Sequence, residues 1–146
     1  MNVYKLRRYL MLAGLIPFMA GAMAILLDVE SWWLINDVET SFALYCLAIA
    51  SFMAGVYWGV AHTTPSATHL LTLSNLMVVL PWIAFAVLGS GSVFYAVLAY
   101  VFLRQLLLDR KLRHQGVFDA QYLRDRFSIA VPVSVLMLII VGFKLF

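Results

Sequence analysis

Basic residues concentrate in one segment that could bind the phosphate of an anionic lipid. DRKLR covers residues 109–113, and YLRDRF covers residues 122–127. Arg can meet a phosphate with paired donors, and each basic residue near a membrane surface attracts anionic headgroups by about 1 kcal/mol. Headgroup binding is one hypothesis for this segment, and simple orientation of the chain in a membrane is the other. The residues of the headgroup hypothesis are Arg110, Lys111, Arg113, Arg124 and Arg126.

The apolar segment SFMAGVYWG, residues 51–59, contains small residues spaced four apart. That spacing places them on one face of a helix, where they allow two helices to approach closely in lipid. Packing against another helix of the same chain is the first interpretation, and space for a ligand is the second. The packing stripe consists of Ser51, Gly55 and Gly59. The candidate pocket residues are Tyr57, Trp58 and Asn75.

No residue set in the sequence has the types and spacing of a catalytic or metal centre. Cys46 is the sole cysteine and lies in an apolar run, so an intramolecular disulfide and a multi-cysteine metal site are excluded. His62 and His69 bracket a short loop, but their spacing is not a recognised ligand pattern. We therefore expect no catalytic residue, no metal and no cofactor.

The composition predicts that these residues are positioned by membrane-spanning helices. The chain has 146 residues, of which 64% are hydrophobic and 12% are charged. A soluble domain is nearer half apolar and a quarter charged. We expect residues 1–146 to form a single transmembrane domain.

Five apolar runs approach the roughly 20 residues that a helix needs to cross a bilayer. They are continuous rather than alternating, which favours helices over strands. The sequence thus predicts an all-α integral membrane helical bundle. The predicted spans are 9–27, 41–61, 70–88, 93–108 and 127–143.

The distribution of basic residues predicts the orientation of these spans. With the N-terminus inside, the inner segments hold nine of the ten Lys and Arg residues, and only Lys144 falls outside. Lys and Arg favour the cytoplasmic side of short loops, so the prediction is N-terminus inside and C-terminus outside. The net charge of +3 follows from this arrangement and does not indicate a nucleic-acid partner.

Ionisable residues near the centre of a span would indicate an ion or proton path. The predicted spans place none there. Arg104 comes closest, and its long side chain can reach the inner surface. This distribution argues against an ion-coupled transporter.

Four short motifs follow one another along the chain: GLIPF at 14–18, SFMAGVYWG at 51–59, Leu80-Pro81, and QYLRDRF at 121–127. Together they resemble the transmembrane protein 69-like family of small bacterial and mitochondrial membrane proteins of unknown function. The resemblance implies a multi-span membrane protein and supplies no activity.

The sequence favours a non-enzymatic helical bundle that binds lipid or associates with a larger complex. Its expected partners are membrane lipids, including anionic ones, and a larger membrane complex or further copies of the chain. The expected location is a bacterial inner membrane. The alternative is a carrier or enzyme that acts on a lipid or other amphiphile. A cavity lined by Tyr57, Trp58, Asn75 and Arg124 would favour the alternative, whereas a solid core there would favour the first function.

Overall fold

The computed structural model describes residues 3–64 and 67–146 and shows six α-helices in those ranges. In chain order they are α1 (Val3–Ala13), α2 (Leu15–Leu26), α3 (Val38–Ala61), α4 (Ala67–Leu88), α5 (Ser92–His114) and α6 (Ala120–Leu145). The first two together form one apolar span, Tyr4–Leu26, and the other four form one span each. All five spans are long and apolar enough to cross a membrane, and the described ranges contain no β-strand. The predicted all-α bundle of five spanning helices is confirmed.

The first span is interrupted at Gly14, between α1 and α2. Pro17 follows in the first turn of α2, and its ring removes one N–H from the helical ladder. The hydroxyl of Tyr45 on α3 donates a 2.7 Å hydrogen bond to the Gly14 carbonyl. The break therefore exposes a backbone acceptor that a neighbouring helix satisfies, as an apolar environment requires.

Asp37 fixes the start of α3 after the loop that follows the first span. Its carboxylate accepts a 2.8 Å hydrogen bond from the backbone N–H of Thr40, in the manner of an N-cap. This hydrogen bond holds the pKa of Asp37 below its ordinary value of 3.8. The cap therefore sets where α3 begins.

The core of the bundle is centred on α5. Its spanning window is 56% buried, against 33% or less in the other four spans. Its main contacts are with α6, and α3 makes its main contacts with α4. Aromatic edge contacts join α2 to α3 and α5. The ring centroid of Phe18 on α2 lies 6.0 Å from that of Phe102 on α5 and 6.2 Å from that of Phe42 on α3. The centre of the molecule is thus filled by side chains.

Both helices beside the basic segment extend beyond the predicted spans. α5 continues past residue 108 to His114, and α6 begins at Ala120, before the predicted span at 127, so the connecting loop covers only 115–119. Asp119 caps α6, and its side chain accepts a hydrogen bond from the Tyr122 N–H. Gly116 ends α5 with a φ of +77°, a left-handed conformation that glycine adopts readily. The difference arises because hydropathy marks where the apolar core of a bilayer ends, and a helix can continue through the headgroup layer.

The predicted packing stripe is wrong for contacts within the chain. A Cβ added at Gly55 or Gly59 would meet nothing within 4 Å, and Ser51 is only partly buried. The buried face of α3 lies one residue further round the helix, where Ala50 and Ala54 are fully buried. The small residues at the helix contacts of α3 are therefore alanines, whose backbone carbonyls accept hydrogen bonds from α4 and α5.

Candidate functional site

A groove of about 930 Å³ runs along the surface between the end of α5 and the first half of α6. Arg113 and Arg124 line it, and both side chains are exposed. The apolar residues Phe127, Val131 and Pro132 line its continuation along α6. Two guanidinium groups thus share one groove with an apolar wall, an arrangement suited to an anionic head with an attached chain.

The other three residues of the headgroup hypothesis do not join this groove. Arg110 and Lys111 are exposed on the last turns of α5 but are not part of its lining. Arg126 is only 4% exposed and lies inside the bundle. Its assignment as a surface headgroup ligand is wrong, because the early start of α6 places residue 126 on the face that packs against α5.

Arg126 and Asp109 form an ion pair in the interior. The Arg126 Nε donates to Asp109 Oδ2 at 2.7 Å, and the Asp109 side chain is fully buried. The hydroxyl of Tyr57 lies 2.9 Å from Asp109 Oδ1 and 2.9 Å from the Gln105 carbonyl oxygen. The pair therefore ties α3, α5 and α6 together at one level of the bundle.

Two further polar side chains use the alanine face of α3. Gln105 donates from Nε2 to the Ala50 carbonyl at 3.0 Å, and Ser74 donates from Oγ to the Ala54 carbonyl at 2.7 Å. A larger residue at either alanine would hinder this approach to the backbone. These bonds are the interhelical polar contacts that hold helices together in lipid, where hydrophobic attraction between helices is weak.

A second ion pair connects the N-terminal helix to α6. Arg7 Nη2 donates to Asp125 Oδ2 at 3.2 Å. Two guanidinium groups approach the Tyr122 ring, with the Arg7 Cζ 5.5 Å and the Arg126 Cζ 5.9 Å from the ring centroid. Both distances permit cation–π attraction. Asp125 is thus buried and paired with a basic residue of the first span.

The Tyr57, Trp58 and Asn75 pocket does not form. Tyr57 is fully buried in the polar network, whereas Trp58 is 53% exposed. Asn75 is also exposed and donates to the Leu71 carbonyl of its own helix. The three side chains point into different surroundings, and the volume near Tyr57 is filled by protein atoms that bond to it.

Comparison with protein families identifies the family to which the chain belongs. A family model described as "Protein of unknown function (DUF3429)" matches residues 3–142. The chain belongs to the DUF3429 family. No curated protein and no solved structure matches it. Membership of a small uncharacterised family is therefore confirmed, while the finer assignment to the transmembrane protein 69-like family stays a prediction.

The sequence of this DUF3429 protein contains a periodic pattern that indicates which polar residues are buried. Buried positions in α5 recur at alternating spacings of four and three, and the same pattern recurs in α6. Asp109 and Arg126 each occupy one step of such a series. The α5 series is Leu98, Phe102, Gln105, Asp109 and Leu112. The α6 series is Leu123, Arg126, Ala130, Val133, Met137 and Ile140. Extending the helical period through the basic segment would have placed both charges on the inner face.

Proposed function

We propose that this protein is a non-enzymatic membrane bundle that binds an anionic phospholipid in the groove between α5 and α6. The phosphate lies between Arg113 and Arg124, and an acyl chain follows Phe127, Val131 and Pro132. The observation that carries the proposal is the shared lining of one groove by two exposed arginines and an apolar wall.

The chemistry of arginine supports a phosphate at this place. Each guanidinium presents several N–H donors in a plane and remains charged, so two of them can hold the oxygens of one phosphate. The exposed arginines of the groove have no carboxylate partner among the ion pairs of the described residues, which join Arg7, Arg126 and Lys144 to acidic groups. Their donors are therefore available to a ligand.

The packing around Tyr57 supports a binding role over a catalytic or carrier role. The predicted cavity at Tyr57, Trp58, Asn75 and Arg124 would have provided an enclosed space for an amphiphile. Instead, the Tyr57 hydroxyl bonds within the protein, and Arg124 faces the outer groove. A lipid in that groove can stabilise the α5–α6 pair without entering the bundle.

We further propose an orientation and a membrane for the protein. The basic end faces the cytoplasm, which places the groove at the inner leaflet, where anionic lipid concentrates. The membrane is a bacterial inner membrane, and the exposed apolar faces that remain contact lipid, a larger complex or a second copy. The order of its motifs supports a relationship to the transmembrane protein 69-like proteins.

The test compares two double variants that remove the same charge from the same segment. Arg113→Gln with Arg124→Gln removes both groove arginines, whereas Arg110→Gln with Lys111→Gln leaves the groove intact. Since a hydrogen bond to a charged group contributes about 1.5–3 kcal/mol, we expect the first variant to lose about tenfold or more in affinity for phosphatidylglycerol. Native mass spectrometry of the purified proteins with added phosphatidylglycerol measures this affinity. Equal losses in both double variants would show that only general charge attracts the lipid, and would reject the groove.

A further inference from the structure

A separate cleft of about 350 Å³ lies between the first span, α3 and α6. It shares no lining residue with the α5–α6 groove, since its α6 residues are Tyr122, Arg126 and Ile129. Its size falls within the range of about 300–1,000 Å³ that small-molecule sites occupy. Phe52 and Leu10 of its wall are 75% and 64% exposed, so the cleft opens to the surface of the bundle.

Two arginines line one part of this cleft with donors that the protein does not use. Arg126 is 4% exposed, and its Nη2 is buried without a hydrogen-bond partner among the described residues. Arg7 also lines the cleft, and its Nε has no partner within the same described ranges. A buried guanidinium nitrogen without an acceptor costs free energy, so an acceptor from a ligand would stabilise it.

The carboxylates that neutralise these arginines are not part of the cleft lining. Asp109 holds the Arg126 Nε, and Asp125 holds the Arg7 Nη2, but neither acid lines the cleft. Each guanidinium is thus fixed by a carboxylate outside the cavity while it retains a free donor. Arginine has no acceptor, so the complementary head of a ligand must supply oxygens.

The rest of the lining is apolar. Met53, Val56 and Ile49 of α3 form one side, and Phe18 and Met11 contribute from the first span. An apolar cleft with donors concentrated among Arg7, Arg126 and Tyr122 fits an amphiphile with one hydrocarbon chain and one compact head. Anionic oxygens at that head would form charge-assisted hydrogen bonds with both arginines.

We propose that this cleft binds a single-chain amphiphile whose head is a carboxylate or a phosphate monoester. The site is additional to the phospholipid groove and does not depend on it. Free fatty acids and lysophospholipids both supply the required chemistry, and the carboxylate and phosphate arms of the experiment distinguish them.

The experiment places the full chain in nanodiscs of zwitterionic phosphatidylcholine and measures equilibrium binding of three radiolabelled probes. They are palmitate, palmitoyl lysophosphatidic acid and methyl palmitate, the last of which lacks the anionic head. We expect saturable binding of one or both anionic probes, with methyl palmitate bound about tenfold or more weakly. Saturation by palmitate alone identifies a fatty-acid site, and saturation by the phosphate probe alone identifies a lysophospholipid site. Equal affinity for all three probes would overturn the proposal.

Variants locate this binding in the cleft. Val56→Trp fills the cleft and should reduce binding of the anionic probes by about tenfold or more. Leu44→Trp adds the same side chain on an exposed face of α3 outside the cleft, and should bind as the parent does. Parental affinity in Val56→Trp would overturn the site.

Two further variants test whether the arginine recognises the anionic head of the probe and whether binding occurs in the cleft rather than in the groove. Arg126→Lys retains a cation for Asp109 but lacks the free guanidinium nitrogen. It should therefore weaken binding of the anionic probes and leave binding of methyl palmitate unchanged. The double variant Arg113→Gln with Arg124→Gln should bind palmitate with parental affinity. Loss of palmitate binding in that variant would assign the binding to the groove and reject the cleft. If the groove does not bind phospholipid, palmitate binding in the cleft is unaffected.

Discussion

At the scale of single residues, Arg126 carries a full charge into the bundle, and Asp109 compensates it at 2.7 Å. Ionisable side chains inside a spanning segment are costly, and they are retained mainly where they pair or serve a function. The pair leaves Arg126 Nη2 unused among the described residues, beside an apolar cleft. The same side chain therefore contributes both to the fold and to a candidate binding site.

The pair predicts a particular order of stabilities. Arg126→Met leaves the Asp109 charge buried and unpaired, so it should lower the free energy of unfolding by about 3–5 kcal/mol. The double variant Asp109→Leu with Arg126→Met removes both charges and should recover much of that loss, because two apolar side chains need no partner. Equilibrium unfolding in mixed detergent micelles measures the series. A double variant less stable than Arg126→Met would contradict this assignment of the pair.

At the scale of elements, the α5–α6 contact follows two buried series whose steps alternate between four and three residues. This spacing is typical of antiparallel helices that keep one face in contact along their length. Polar residues at Gln105, Asp109 and Arg126 occupy steps of the series near the loop end. The Arg126–Asp109 ion pair joins α5 to α6 there, whereas the Gln105 side chain donates to α3, and the remaining steps of both series are apolar.

Two glycines in spanning helices provide a matched test of the helix contacts. A Cβ at Gly21 of α2 would clash with the ring of Phe42, whereas one at Gly55 of α3 would meet nothing within 4 Å. Gly21→Ala should therefore force α2 and α3 apart at a cost of about 1–3 kcal/mol, by analogy with overpacked cores. Gly55→Ala should be neutral or slightly stabilising, because alanine favours a helix by about 1 kcal/mol over glycine. Thermal unfolding in detergent checks both, and a larger loss at Gly55 than at Gly21 would contradict the observed helix faces.

Sequence reasoning identified the number and type of the spans because their signal is local. A run of apolar residues is sufficient to predict a spanning helix. The faces of the helices depend on tertiary contacts, and this is why the Gly55 stripe was misplaced by one residue. Arg126 was misplaced for another reason, since its helix begins before the apolar run. Arg113 and Arg124 were selected by charge alone, and their convergence on one groove required the fold.

At the scale of the whole molecule, charge separates the two ends of the bundle. The start of α1, the end of α5 and the start of α6 carry most of the basic residues. Lys144, at the other end, pairs with Glu39 at 2.8 Å, and Glu39 also accepts from the Ser90 hydroxyl. The basic residue that breaks the charge pattern is thus neutralised locally by an acid. This pairing reduces the conflict between Lys144 and an outside location.

The charge pattern predicts an orientation that reporter fusions can measure. A reporter active only outside the cytoplasm should be active when fused after Asp37, after Ser90 and after Phe146. It should be silent after Gly116, because the basic ends of α5 and α6 keep that loop inside. Activity after Gly116 would reverse the bundle and move the groove to the outer leaflet.

The central claim is that the groove selects an anionic lipid from the surrounding bilayer. A photoreactive benzoylphenylalanine at Val131 would lie in the groove, and one at Val135 would lie about one turn further along α6 on an exposed surface outside it. Each protein is reconstituted in vesicles of phosphatidylcholine with a minor fraction of phosphatidylglycerol, irradiated, and analysed by mass spectrometry of the lipid adducts. Adducts at Val131 should be enriched in phosphatidylglycerol above its fraction in the vesicles, whereas adducts at Val135 should follow the bulk composition. Bulk composition at both positions would contradict the claim.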